Sequence, residues 1–330
     1  MVWVLKVPKK DAERVRKFLL RSGNLNVEWS IVEDGDYIVF PLVKFLDGAI
    51  EMDLLPRSKK LSPYDRIISL AKRRGIDIAL PDFWEKLGDV LILPEWEFGE
   101  YAKEVGEIYA NVLRAKTVLV YSGVSGEFRE NKVRKIWGDG TETVHIENGI
   151  KYEMDVSRIM FSSGNVNERI RISRIDMSGD VVVDMFAGIG YFTLPAAKAG
   201  ASRIYSCEKN PVAFYYLLRN RDLNGFSQIL PLFGDNRVVC PEEVANRVIM
   251  GYFETLPFLE YGLKAIRDEG VIHYHDLAKD READILLKKI KNLIRGRGFS
   301  LISFEKRVIK SYAPRVWHVV FDLHVARQIY

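Results

Sequence analysis

The chain has 330 residues, 48% of them apolar and 28% charged, with 49 basic against 45 acidic side chains. That is ordinary globular composition, and a net charge of +4 is too small for charge alone to name a polyanionic partner. No run approaches the ~20 consecutive apolar residues that a membrane span needs, and "MVWVLKVPKK" has no long apolar core, so a soluble protein without a membrane partner is expected. Length favours two or three domains. Cys207 and Cys240 are too few for a disulfide framework and lack metal-ligand spacing, which points to a reducing cytoplasm. A monomer is expected.

Residues 1–50 read strand, helix, strand: "VWVLKV", then "KDAERVRKFLLRSG" closed by Gly23, then "WSIVEDGDYIVFPL" with a turn at Gly35. The helix is expected to gather Val15, Phe18 and Leu19 on one face, giving a small α+β domain that docks tRNA on the reading developed below. Residues 51–90 form a connector. Between Arg57 and Arg74 seven basic residues stand against one acid, Asp65. Arg57, Lys59, Lys60, Arg73 and Arg74 are candidates for contact with RNA phosphates, because clustered cations gain affinity by releasing counterions; a solvated face explains them as readily.

Residues 91–174 alternate as a β-rich module, "DVLILP", "AKTVLVYS", "KVRKIWGDG" and "ETVHIENGIKYEMDV", with a helix over "EYAKEVGEIYANVL". From 175 to 330 strands alternate with helices, the pattern of a parallel sheet covered on both faces. The expected strands are 181–187, 203–209, 229–235, 247–253 and 271–277. Two further strand patterns, "FSLISFEKRVIKSY" and "RVWHVVFDLHVA", leave no room for a helix between them and must pair antiparallel. The expected fold is α/β: a Rossmann-like class I S-adenosylmethionine-dependent transferase sheet with an antiparallel terminal hairpin, behind a β-rich module and the N-terminal domain.

The turn "VVVDMFAGIGYF" leaves the first strand of that sheet. Gly188 and Gly190 would let backbone approach a ligand, yet the third glycine of a dinucleotide fingerprint is missing and no Lys-Ser/Thr follows, which excludes a P-loop. Asp184 would repel a pyrophosphate and suit a cationic ligand bearing an amino group. Glu208, eighteen residues after Gly190, can accept ribose hydroxyls; Asp235 and Asn236 at the next strand tip can read adenine. Together these point to S-adenosylmethionine as cofactor.

Upstream, "MFSSGNVNERIR" offers Ser162, Asn165, Glu168 and Arg169. With "DMFAGIG", "RVIMGYF", "VIHYHD" and "YAPRVWHVVFDLHV", the chain resembles the enzymes that modify the guanosine beside the tRNA anticodon. One branch, the guanosine-37 N1-methyltransferases, carries Asn-Leu-Pro or a related polar motif after the fourth strand. The other, the tRNA wybutosine-synthesizing protein 2 family of aminocarboxypropyltransferases, carries Met-Gly-Tyr or similar, as Met250-Gly251-Tyr252 does here. Residues 1–50 look like the small domain of the methyltransferase branch.

The resemblance implies transfer of the 3-amino-3-carboxypropyl group to 4-demethylwyosine at position 37 of tRNA. It implies that Ser162 and Arg169 hold the methionine arm, and that Glu208, Asp235 and Asn236 hold the nucleoside. Gly251 and Tyr252 form the corner expected to select the reaction: glycine offers no polar anchor and leaves space, so the arm can swing towards the acceptor. Leu256-Pro257 stands where relatives often have Thr-His, so no role of that histidine carries over. The alternatives are N1-methylation of the same guanosine, methylation of the precursor, and RNA binding without catalysis.

His273 and His275 share a strand face like a metal pair but lack a third ligand, so no metal is expected. Trp317 and His318 read as hairpin packing. Lys310 and Arg315 are further candidates for RNA phosphates, and Tyr252 or Phe253 for stacking on a splayed base.

Overall fold

The computed structural model describes residues 1–56, 61–126, 130–279 and 282–328. Two compact units follow one another, Met1–Arg66 and Ile67–Tyr330. The first has strands β1 (Val2–Pro8), β2 (Val32–Asp34), β3 (Tyr37–Pro41) and β4 (Ile50–Met52), with helix α1 (Ala12–Arg21). They form one antiparallel sheet in the order β2-β3-β1-β4. Gly35, at φ 59°, turns β2 into β3. Val7, Leu19, Phe40 and Leu42 make its core, with Val15 packed against them. Phe18 departs from expectation: it is 62% exposed, because α1 turns Leu19 into the sheet instead. This unit runs past residue 50, since β4 pairs with β1 and Trp29 bridges Pro56.

The connector is more structured than its charge pattern indicated. It contains helix α2 (Pro63–Arg73) and strand β5 (Glu85–Leu87). Strand β6 (Val90–Leu93), helix α3 (Ala102–Leu113), and strands β7 (Thr117–Ser125) and β8 (Glu130–Gly138) complete a sheet in the order β5-β6-β7-β8. Here β6 and β7 are parallel, with α3 as their crossover. Strands β9 (Glu142–Glu147) and β10 (Ile150–Asp155) form a separate hairpin.

After helix α4 (Val166–Ile172) the large sheet begins with β11 (Val181–Asp184), α5 (Thr193–Lys198), β12 (Arg203–Glu208), α6 (Pro211–Asn224), β13 (Ile229–Phe233), α7 (Asn236–Val239) and β14 (Ala245–Met250). It continues through α8 (Leu259–Ala265), β15 (Ile266–Lys279), α9 (Glu282–Gly296), β16 (Phe299–Ala313) and β17 (Val316–Arg327). The order is β13-β12-β11-β14-β15-β17-β16, the first five parallel and the last two antiparallel. Strands buried on both faces explain the continuous apolar runs: Val182, Val183, Val248, Ile249 and Met250 are fully buried. The first four strands end one to three residues before the expected limits, because their tips turn into loops; β15 instead extends at both ends, along β17.

Cys207, near the tip of β12, and Cys240, just after α7, form a disulfide with Cα atoms 6.2 Å apart. Their spacing of 33 residues concealed it: the fold brings the end of α7 against the tip of β12. No helix among the described residues is long and apolar enough to cross a membrane.

Candidate functional site

Strand order reverses between β11 and its neighbours β12 and β14, and loops leaving the strand ends part there. In open α/β sheets ligands bind at that crevice. A cavity of about 420 Å³ occupies it. Its walls include Ser162, Arg169, Gly188, Glu208, Asp235, Asn236, Gly251 and Tyr252, so the structure gathers these predicted residues from five separate stretches of chain.

Glu208 stands at the tip of β12. The Gly188 N–H donates to one carboxylate oxygen and the Asn210 N–H to the other, each at 2.7 Å. Gly188 has φ 56°, and a Cβ there would lie 2.4 Å from the Tyr191 ring, so glycine is required on both counts. Burial raises the Glu208 carboxyl above its ordinary value, and the two backbone donors oppose that. Each oxygen keeps lone pairs for a hydroxyl in the cavity. Asp235 caps α7 and grips Arg237 through two bonds of 2.6 and 2.9 Å, which hold its carboxyl at about 2. Asn236 donates through Nδ2 to the Met185 carbonyl, while its buried Oδ1 has no partner among the described residues. An orphaned acceptor on a cavity wall suits an exocyclic amine such as that of adenine.

Two predicted residues do not face the cavity. Asp184 is fully buried beneath the loop, accepting from the Thr193 hydroxyl at 2.7 Å and from the Phe186 N–H. It fastens the loop to α5 rather than meeting a ligand's amino group. Gly190 is glycine because of packing: at φ 104°, its Cβ would lie 2.8 Å from Leu194 Cγ.

The opposite end of the cavity is built by the segment before the sheet. Arg169 is 3% exposed and bidentate to Glu147, at 2.6 and 2.7 Å, with Nη1 donating to the Ser162 carbonyl at 3.0 Å. Its charge is therefore already matched, which the sequence did not foretell, because Glu147 lies 22 residues away in the β-rich module. The Phe161 ring lies under the guanidinium, 4.5 Å from its carbon. Arg171 fastens α4 to the sheet, forking to Glu168 at 2.7 and 2.8 Å and reaching Asp322 on β17 at 2.8 Å. Asp322 also bonds His273, whose other nitrogen meets Arg247.

His275 and His318 bond each other at 3.1 Å, and burial pushes both down to about 3, so both rings are neutral. The histidines of β15 thus belong to a buried polar layer. Among the described residues, no group of three His, Cys, Asp or Glu could hold a metal ion.

The corner after β14 corrects one expectation. Gly251 does not leave space: an added Cβ would sit 2.5 Å from Phe192 Cδ2, so the ring already fills it. Tyr252 stacks on Phe186, with centroids 5.5 Å apart and planes 17° apart, and stays 42% exposed on the cavity wall. Phe253 is half-buried against Tyr312 and His318.

The basic candidates separate. Arg74 pairs with Glu107 at 2.6 Å and Arg73 reaches Ser69. Arg57, Lys59 and Lys60 lie outside the described residues. Arg315 is exposed, at φ 61°, in the two-residue turn between β16 and β17. Lys310 turns inward instead, its ammonium donating to the Ser162 hydroxyl at 2.7 Å.

Family models agree with this layout. The TRM5/TYW2 methyltransferase domain matches residues 143–302, the TYW2 N-terminal domain residues 70–141, and the tRNA methyltransferase 5 N-terminal domain residues 5–51. A tRNA(Phe) (4-demethylwyosine(37)-C(7)) aminocarboxypropyltransferase of Methanocaldococcus jannaschii is 42% identical over 248 residues, 74% of this chain and 98% of the relative. The crystal structure of M. jannaschii TYW2 in complex with AdoMet superimposes with a TM-score of 0.63 at 37% identity, over 74% of this chain and all of that one. That of Trm5b from Pyrococcus abyssi does so with 0.77 at 32% identity, over 99% of this chain and all of that one.

Proposed function

The chain belongs to the TRM5/TYW2 family of tRNA-modifying transferases, and from that premise we propose that it transfers the 3-amino-3-carboxypropyl group of S-adenosylmethionine to C7 of 4-demethylwyosine at position 37 of tRNA(Phe). When bound, S-adenosylmethionine would supply an electrophilic γ-carbon on its sulfonium; transfer of that arm would leave methylthioadenosine with the sulfur's electron pair, and the acceptor carbon's proton would pass to solvent.

Glu208, Asp235 and Asn236 would hold the nucleoside, with the unpaired Asn236 Oδ1 as the acceptor that fits an adenine amine. Ser162 and Arg169 would border the methionine arm. Tyr252, partly exposed beside the cavity, would stack on the splayed nucleobase. The observation that carries the reading is the corner at Gly251. Residue 251 presents the Phe192 ring in place of a polar side chain of its own, so that position offers no anchor to tether the arm away from the acceptor. Orientation then decides which carbon reacts, because attack needs the partners roughly 3–3.5 Å apart and in line. The partner would be tRNA, with the enzyme acting as a cytoplasmic monomer without a metal.

The test is the adenosine by-product formed with S-adenosylmethionine and tRNA carrying 4-demethylwyosine. Methylthioadenosine is expected; S-adenosylhomocysteine as sole product would defeat the proposal. One observation favours that second outcome, N1-methylation of guanosine 37: residues 5–51 match the tRNA methyltransferase 5 N-terminal domain. Unmodified tRNA with guanosine at position 37 separates the two readings.

A further inference from the structure

Against the arm end of the cavity stands a lysine, Lys310, that has no ion-pair partner among the described residues and reaches the wall through Ser162. Arg169 and Glu147 cancel each other in a bidentate pair, and neither is more than a tenth exposed. Lys310 comes from β16, far away in sequence, and its ammonium bonds only the Ser162 hydroxyl, a neutral group, among the described residues. It packs against the backbone of Gly164, where an added Cβ would lie 2.8 Å from Nζ; glycine there makes room for the lysine. Burial, and then the nearby Arg169 charge, hold the ammonium below the usual lysine range, and the Glu85 carboxylate only partly opposes them. On the same segment, Asn165 lines the cavity and its buried Oδ1 has no partner among the described residues. A lone cation beside a hydroxyl and an orphaned acceptor make a complementary pair of poles for a zwitterion: carboxylate at one, ammonium at the other.

Resting on the reading of the cavity as an S-adenosylmethionine site, we propose that Lys310 supplies the counter-charge for the α-carboxylate of the methionine arm, together with the Ser162 hydroxyl, while Asn165 Oδ1 accepts from the α-ammonium. Lys310 is then a cofactor-positioning residue on the terminal hairpin and not an RNA-phosphate contact. This role needs the hairpin: β16 delivers the side chain to a segment about 150 residues earlier, as the separation of 148 between Ser162 and Lys310 shows.

Methylthioadenosine lacks the amino-acid arm and so separates this role from a structural one. Calorimetry on the full chain should show Lys310→Gln binding S-adenosylmethionine roughly 10- to 100-fold more weakly, the range for one charge-assisted bond, with methylthioadenosine affinity unchanged within about twofold. Lys310→Arg should recover much of the loss, and Asn165→Ala should reproduce the selective pattern. Equal losses for both nucleosides, or none for either, would overturn the proposal. So would a loss confined to tRNA affinity. If the wild-type chain bound neither nucleoside, the cofactor reading itself would fall, whereas product identity plays no part in this measurement.

Discussion

The Phe192 ring stands where a side chain at residue 251 would have to go, its Cδ2 only 2.5 Å from an ideal Cβ. Phe192 closes the nucleotide loop and packs against His275 with centroids 4.9 Å apart and planes tilted by 58°, so the glycine, the loop and β15 are one packed unit. Overpacking of this kind typically costs ~1–3 kcal/mol. Gly251→Ala should therefore lower the midpoint of urea denaturation and slow arm transfer together, and Gly251→Asn should do so more strongly. Adding Phe192→Leu should restore part of the stability. A Gly251→Ala protein as stable as wild type would show that the ring yields freely.

Glu147 and Arg169 supply a second prediction. Removing one partner of a buried pair leaves an uncompensated charge, at a cost of ~3–5 kcal/mol. Glu147→Gln should be destabilised to that extent by denaturant titration, and Arg169→Met with Glu147→Leu should be less destabilised than Glu147→Gln alone. Equal loss in both proteins would mean the residues matter for shape, not for charge.

Asp184 gives the pH dependence a sign. Burial raises its carboxyl from 3.8 to about 6. Between those values the unfolded chain has released a proton that the folded chain keeps. Its contribution to stability is thus complete below pH 3.8 and is lost as pH rises through about 6. Asp235 runs the other way: Arg237 holds it at about 2, so its contribution fades as pH falls from 3.8 towards 2. Stability curves of wild type and Asp184→Asn should diverge in slope across about pH 4–6 and run parallel above it. Identical slopes would remove Asp184 as the titrating group.

Every residue on the cavity wall belongs to the unit Ile67–Tyr330. Deleting residues 1–61, just before α2, should leave S-adenosylmethionine affinity within about twofold of wild type while lowering tRNA affinity more than tenfold, if the small domain serves docking. A filter-binding titration beside calorimetry reads both. Loss of cofactor binding would tie the first unit to the site.

Local rules made much of the fold readable. Strands buried on both faces write themselves as apolar runs, so β11, β12, β14 and β15 were visible in "VVVD", "RIYSCE", "RVIM" and "VIHYHD". The terminal hairpin followed from a connection too short for a helix. Glu208, Asp235 and Asn236 were legible because acidic and amide residues at strand tips are unusual and share an end of the sheet. Phe18 failed because a helical stripe fixes a face only to within a residue, and the sheet chose Leu19. The helix α2 escaped because its basic residues were read as a strip of charge and not as the outer face of a helix.

The sequence by itself determined the class of sheet, the order of its elements and the end at which a ligand would lie, since these follow from period, turn chemistry and chain direction. Tertiary structure alone decided which polar groups are spent and which are free. Asp184 and Arg169 look like ligand groups along the chain, yet Thr193 and Glu147 engage them. Lys310 looks like a surface charge, yet it reaches Ser162. The physical reason is that a side chain's function depends on which partners satisfy it, and partners 148 residues apart meet only when a late strand of the sheet folds back against the segment that precedes the sheet.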